Sequence, residues 1–219
     1  MPLTTSASVL IAGVLGGVVG WWPLSAWIER QLRDDRMQRR TIRVVASLTT
    51  AIVWGVVAWR FADAAGLAVL PAILAFTAAS TVLSIVDLVE HRLPNPVVGA
   101  TLAIVGGLLV LAAAVSGRWL SLAWAAAGLG AMFGVYLLLG LLVPNAMGMG
   151  DMKLAAPIGM LLGWFGLTTW VVGLVAAFLV GGVIAIAALA LRRVSWRGSI
   201  PFGPAMLAGA LVSLLVTAG

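Results

Sequence analysis

Cysteine is absent from all 219 residues, which excludes disulfides, thiolate metal sites and a thiol nucleophile. Histidine occurs once, at His91, so a multi-histidine metal centre is excluded too. Charge is scarce. Asp, Glu, Lys and Arg make up 9% of the chain against 63% hydrophobic residues, and mean hydropathy is +1.15. A soluble domain of this size cannot cover so much apolar surface with so few charges, so the expected surrounding is a lipid bilayer. The start, MPLTTSASVL, lacks the basic stretch and small-residue cleavage site of a removable signal peptide, and the first apolar run reads as a retained span. Net charge is +6. The basic residues lie between apolar runs, where membrane orientation accounts for them, and no nucleic-acid partner is expected.

Apolar runs alternate with short polar breaks. Spans are expected near 7–28, 44–59, 67–86, 97–115, 120–143, 152–164, 167–191 and 202–218. Each is expected to be a helix, because a helix satisfies its own backbone hydrogen bonds in lipid. The runs are too long and too uniformly apolar for alternating barrel strands. The expected fold is therefore all-α: a polytopic integral membrane helix bundle of about eight spans, in a single membrane domain over 1–219. The run 152–164 is short and reads as a half-helix or tilted element, joined to the next run by Trp164-Phe165-Gly166.

Eleven of the thirteen basic residues fall in alternate breaks. Arg30, Arg33, Arg36, Arg39, Arg40 and Arg43 occupy the stretch 29–43; Arg92, Lys153, Arg192, Arg193 and Arg197 follow. The opposite breaks hold only Arg60 and Arg118. The positive-inside rule then makes 29–43 a cytoplasmic loop and puts both termini outside; the expected location is the inner (cytoplasmic) membrane. Glycine pairs four apart at Gly13/Gly17, Gly16/Gly20, Gly130/Gly134 and Gly159/Gly163 suit close helix packing. Trp21, Trp22, Trp59, Trp119 and Trp164 stand at span ends, as interfacial anchors do.

Of seven acidic residues, Glu29, Asp34 and Asp35 sit in the basic loop and Asp63 in an outer break, where solvation and local ion pairs suffice. Asp87 ends the apolar run STVLSIVD, and Asp151 opens another after VPNAMGMG. Two spans separate them, so both belong on the cytoplasmic face. Two close carboxylates cannot both ionise: one keeps a proton and can polarise a carbonyl, while the other can take a proton from water. That is aspartic peptidase chemistry, which needs neither metal nor thiol. Other readings stand beside it. Asp151 after Gly150 suits a helix N-cap, and Asp87 a boundary residue reaching water. A proton-coupled transporter also uses paired acids, though nearer mid-span, and a non-catalytic membrane assembly protein needs neither.

Asp87-Leu-Val-Glu-His-Arg-Leu-Pro-Asn95 resembles the first signature of the type IV prepilin peptidases, an aspartate followed after five residues by Leu-Pro and Asn or Asp. Gly148-Met-Gly-Asp151-Met-Lys-Leu154 is similar to their Gly-x-Gly-Asp-x-Lys block. Ile200-Pro-Phe-Gly-Pro-Ala-Met-Leu207 resembles the Pro-Phe-Gly-Pro segment before their last span. The three blocks occur in the family's order and cover roughly 80–219. The resemblance implies Asp87 and Asp151 as the catalytic pair of a membrane aspartic endopeptidase. Its substrates would be type IV prepilin-like or pseudopilin precursors, whose short basic leader is removed at the cytoplasmic face. It implies supporting roles for Gly148 and Gly150 (close backbone approach or a sharp turn), Pro94 (a helix break) and Asn95 (a loop hydrogen bond). Lys153 is either a headgroup anchor or a positive charge beside a carboxylate.

The chain departs from the family pattern between its first two spans. Many members carry a cytoplasmic domain there, with paired Cys-x-x-Cys motifs. This chain has only 29–43 without cysteine, so it reads as a short form and no zinc is expected. Many members also N-methylate the product from S-adenosylmethionine. GGVVGWWPLSAWIER only loosely matches the corresponding segment, so methylation and its cofactor are left unassigned; proteolysis needs no cofactor. Presenilin-type proteases share Gly-x-Gly-Asp but place a tyrosine before the other aspartate, where this chain has Val86.

Overall fold

The computed structural model describes residues 3–32, 37–61, 66–142, 148–191 and 201–218. Asp34, Asp35, Asp63, Arg33, Arg36, Arg192, Arg193, Arg197 and Ile200 lie outside the described residues. Among the described residues every regular element is helical. The chain forms two compact units, Met1–Glu90 with Gly99–Arg118 and His91–Val98 with Trp119–Gly219.

In the first unit, α1 (Leu3–Val19) runs through a π-helical turn, Gly20–Leu24, into α2 (Ser25–Gln31). Pro23 causes the turn. It has no N–H to donate and its ring excludes the carbonyl one turn back, so the helix widens locally. Ser25 Oγ donates to the carbonyls of Trp21 (2.6 Å) and Trp22 (3.1 Å). The next helix, α3 (Arg39–Phe61), lies along α1 where glycines admit its backbone. A Cβ on Gly16 would fall 2.8 Å from the Thr50 carbonyl oxygen, and one on Gly20 2.5 Å from that of Ala46. Ser47 Oγ donates to the Gly17 carbonyl at 2.9 Å. Packed on α3 is α4 (Leu70–Glu90), and the hydroxyls of Thr50 and Thr81 meet between them at 3.4 Å. The unit also takes in most of α5 (Asn95–Ser116).

The second unit contains α6 (Trp119–Leu142), α7 (Met149–Trp164), α8 (Leu167–Ala190) and α9 (Gly203–Thr217). At its centre is α7, packed on α6, α8 and α9 with every residue from Leu154 to Trp164 buried. The α6–α7 seam is built on Gly128, Gly159 and Gly163, with the Gly128 and Gly159 carbonyls set where the other glycine would carry its Cβ. Trp170 Nε1 donates to the Gly128 carbonyl at 3.0 Å, so that oxygen is satisfied outside its own helix. Ser213 Oγ donates to the Thr169 carbonyl at 2.5 Å, and the Thr217 and Thr169 hydroxyls meet at 2.9 Å, tying α9 to α8.

Among the described residues six helices are long and apolar enough to cross a membrane: Ser6–Gln31, Arg39–Phe61, Leu70–Glu90, Asn95–Ser116, Trp119–Leu142 and Leu167–Ala190. Gly203–Thr217 is a shorter apolar helix. At about 24 Å, α7 falls short of a hydrocarbon core roughly 30 Å thick. The polytopic all-α expectation and the shortness of the sixth run both hold.

Some expectations differ in detail. The expected span 44–59 is the longer helix 39–61, which begins with the exposed Arg39, Arg40 and Arg43 and ends beyond Arg60. Arg39 Nε approaches Glu29 Oε2 at 3.6 Å, a long contact between an exposed arginine and a half-buried glutamate. Trp164 is no interfacial anchor: it is 1% exposed, whereas Trp21, Trp22, Trp59 and Trp119 are exposed. Gly130 and Gly134 face nothing described within 4 Å, and the packing glycine of α6 is Gly128. Gly159→Ala is therefore expected to cost roughly 1–3 kcal/mol, since its methyl meets backbone that cannot yield. Gly130→Ala should stay within about 0.5 kcal/mol. Thermal unfolding of both variants in detergent checks the contrast.

Candidate active site

Asp87 stands in the last turn of α4 and is 4% exposed, among Leu83, Ile85 and Val86, which are also buried. The helix stops at Glu90, and His91 takes the left-handed conformation, φ 52°, with no glycine to ease it. A non-glycine residue there costs roughly 1–2 kcal/mol. His91 is exposed, so His91→Gly is expected to raise the unfolding midpoint by the equivalent of about 1 kcal/mol. A melt in detergent measures it.

Beyond His91 the chain is non-helical to Pro94, whose carbonyl accepts from Val97 N (3.0 Å) and Val98 N (3.1 Å) and so starts α5. Pro96 sits in that first turn, where a missing N–H costs nothing. Leu93 and Pro94 are buried, and Asn95 is exposed.

At the other block Gly148 is the N-cap of α7, extended at φ −71°, ψ 145°, with no side-chain cap. Its carbonyl accepts from Asp151 N at 3.1 Å and Met152 N at 3.4 Å. Asp151 is thus the third residue of the helix and not its N-cap, and it is 9% exposed. Its carboxylate folds back over Gly148, where Oδ2 would lie 3.3 Å from an added Cβ. The first turn of a helix presents unpaired N–H groups and a partial positive charge, which favour an anion.

Each further residue of the block has its own neighbour. A Cβ on Gly150 would fall 2.9 Å from Leu93 Cβ, so the missing side chain makes room for the segment after Asp87. Met152 folds against Gly140 of α6, where its thioether takes the place of a side chain. Lys153 Nζ donates to Asn95 Oδ1 at 3.0 Å. Within the second unit, Gly148, Gly150, Asp151 and Lys153 are therefore assembled with Leu93, Pro94 and Asn95. Asp87 belongs to the first unit and is bound to this assembly through the chain, six residues before Leu93.

The Pro-Phe-Gly-Pro block opens α9 with Phe202 at its N-cap. Phe202 rests on Gly181 of α8 and joins Phe178 (centroids 5.5 Å apart) and Tyr136 (6.4 Å) in an aromatic cluster. Tyr136 of α6 is 1% exposed and lies within electrostatic range of Asp151. Sequence reasoning passed over it. Its one signal was being the only tyrosine, inside an otherwise apolar span.

The model of the type IV leader peptidase family matches residues 74–188, more than half of the 219. The chain belongs to that family. No curated protein and no solved structure matches it. The matched region contains Asp87, Leu93–Asn95 and Gly148–Lys153, while Pro201–Pro204 lies beyond its end. Family membership and the apolar helices together make this a polytopic helical membrane protein, a leader peptidase-like protease.

Proposed function

We propose that this family member is an aspartic endopeptidase with Asp87 and Asp151 as its catalytic pair. It would cleave the short basic leader from type IV prepilin-like or pseudopilin precursors at the cytoplasmic face of the inner membrane. One observation carries the reading. Buried Asp151 opens α7 in a turn locked through Gly150 to Leu93, six residues on from buried Asp87. Buried carboxylates are costly and need a reason to be kept.

The chemistry follows from their settings. Asp151, at a helix N-terminus, takes the ionised role and accepts a proton from water. Asp87 holds the proton of the pair and donates it toward the scissile carbonyl oxygen. The water oxygen bonds to the carbonyl carbon, giving a tetrahedral intermediate. The C–N bond then breaks, the leaving amine takes the proton held by Asp151, and Asp87 recovers its own as the carboxylic acid product forms. A precursor with a cationic leader and an apolar helix presents its junction at the cytoplasmic rim, where the arginine distribution supports placing both aspartates. The proposal is confined to proteolysis, which draws on no S-adenosylmethionine.

The test is co-expression with a prepilin-type precursor, with leader loss followed on a gel. The wild type should cleave, and a wild type that leaves several such precursors intact refutes the substrate class.

A further inference from the structure

Tyr136 carries a buried phenol that the proposed chemistry leaves unused. The residue is 1% exposed, and a buried tyrosine O–H ordinarily finds a partner. The ring is held from two sides. It stacks on Phe178 with centroids 5.8 Å apart and planes 9° from parallel, and it meets Phe202 at a tilt. Its orientation is thereby set by α8 and α9.

The helix seam gives its level. Along antiparallel α6 and α7, Met132 meets Gly159 and Gly140 meets Met152. Tyr136 lies one turn from each of Met132 and Gly140, so it stands against α7 just inside the turn that bears Asp151. Under the proposed pairing Asp87 is the carboxylate that titrates together with Asp151; beyond it, charge is sparse. The α6 helix has no titratable group but Tyr136, and α8 and α9 have none. On α7 there are Asp151 and Lys153, and the Lys153 amine is engaged by Asn95. In the adjoining segment His91 is exposed and Arg92 half-buried.

We infer that Tyr136 is a positioning residue for Asp151, its phenol O–H donating through one bridging water to the Asp151 carboxylate. The aromatic cluster then has a purpose beyond filling space: it aims the phenol, and Phe202 of the Pro-Phe-Gly-Pro block is one of its two supports. The inference rests on the reading of Asp151 as the catalytic base.

Tyr136→Phe tests it, because phenylalanine keeps the stack and loses only the donor. Wild type, Tyr136→Phe and Asp151→Asn are reconstituted in liposomes with a precursor carrying a basic leader, a glycine and an apolar helix. Tyr136→Phe should leave KM unchanged. The acidic limb of its kcat profile should move up by about one pH unit, the scale of losing one hydrogen bond to a charged group. Below that limb its rate should fall about tenfold. The same shift should appear without substrate in an infrared titration of the Asp151 carboxyl band, assigned by its absence in Asp151→Asn. A Tyr136→Phe protein whose kcat profile and carboxyl titration match the wild type overturns the inference, as does a loss confined to protein accumulation, the mark of a packing role. If Asp151→Asn cleaves normally, the aspartate reading itself fails, whatever Tyr136→Phe does.

Discussion

Asp87→Asn and Asp151→Asn are each expected to abolish leader cleavage while the protein still accumulates in the membrane. Asparagine matches aspartate in size and keeps polar atoms on the same positions, so burial at 4% and 9% exposure is tolerated. What is lost is the proton carrier. A positioned acid or base contributes on the order of 100- to 10,000-fold. The two aspartates serve one step, so the double variant should be no slower than the worse single one; effects of groups acting as a unit do not add. Glu90→Gln, one turn beyond Asp87, supplies the control and should cleave within about threefold of wild type, as expected for a residue outside the reaction. Precursor processing on gels, normalised to enzyme in the membrane fraction, decides it. An Asn variant at wild-type rate would remove that aspartate from the mechanism.

Gly150→Ala should cost most of the activity without touching a reacting group. Its methyl would sit 2.9 Å from Leu93 Cβ, closer than carbon atoms tolerate, with Leu93 Cδ1 and Cγ next at 3.4 and 3.5 Å. Leu93 cannot swing aside, since the atom in the way is the one bonded to its backbone. Either the turn holding Asp151 or the segment leading back to Asp87 must shift. Overpacking of this kind costs roughly 1–3 kcal/mol, and a displacement near 1 Å at a catalytic group lowers rates about 100-fold. The partner substitution discriminates. Leu93→Ala keeps the Cβ and should not restore Gly150→Ala, whereas Leu93→Gly removes the clash and should restore part of the rate. Four proteins in a double-mutant cycle measure the coupling. Equal rates for Gly150→Ala and wild type would show that Gly150 is there only to end a loop.

Much of this architecture was legible because bilayer physics writes in long runs. A long apolar run has few alternatives to a helix, and each of the eight expected runs, the short one at 152–164 included, corresponds to a helical segment of the structure. The aspartates were legible by contrast, as charges in a chain that avoids charge. Other features were not. A π turn at Gly20–Leu24 depends on how one proline's lost donor is absorbed, which composition does not state. Gly128 has no glycine four residues before or after it, yet it makes the closest backbone approach on α6, while the regular pair Gly130/Gly134 turns away. Spacing identifies small residues but not the face they lie on. Trp164 looked like an anchor because it ends a run, but the C-terminal end of this short helix lies inside protein. Tyr136 was hidden for a related reason. Its use depends on the register between α6 and α7, and register is a property of two helices together.

The burial of α7 also bears on how the protein is made. Its 16 residues begin with an aspartate and a lysine in the first five. Such a segment partitions poorly into lipid on its own. It is stable only when protein surrounds it, and α8 and α9 follow it in the chain. During synthesis α7 therefore has to wait near the membrane surface, or enter paired with α6, until its later neighbours emerge. Under the proposed chemistry the catalytic turn is completed last, so a nascent chain would be inert until its second unit closes.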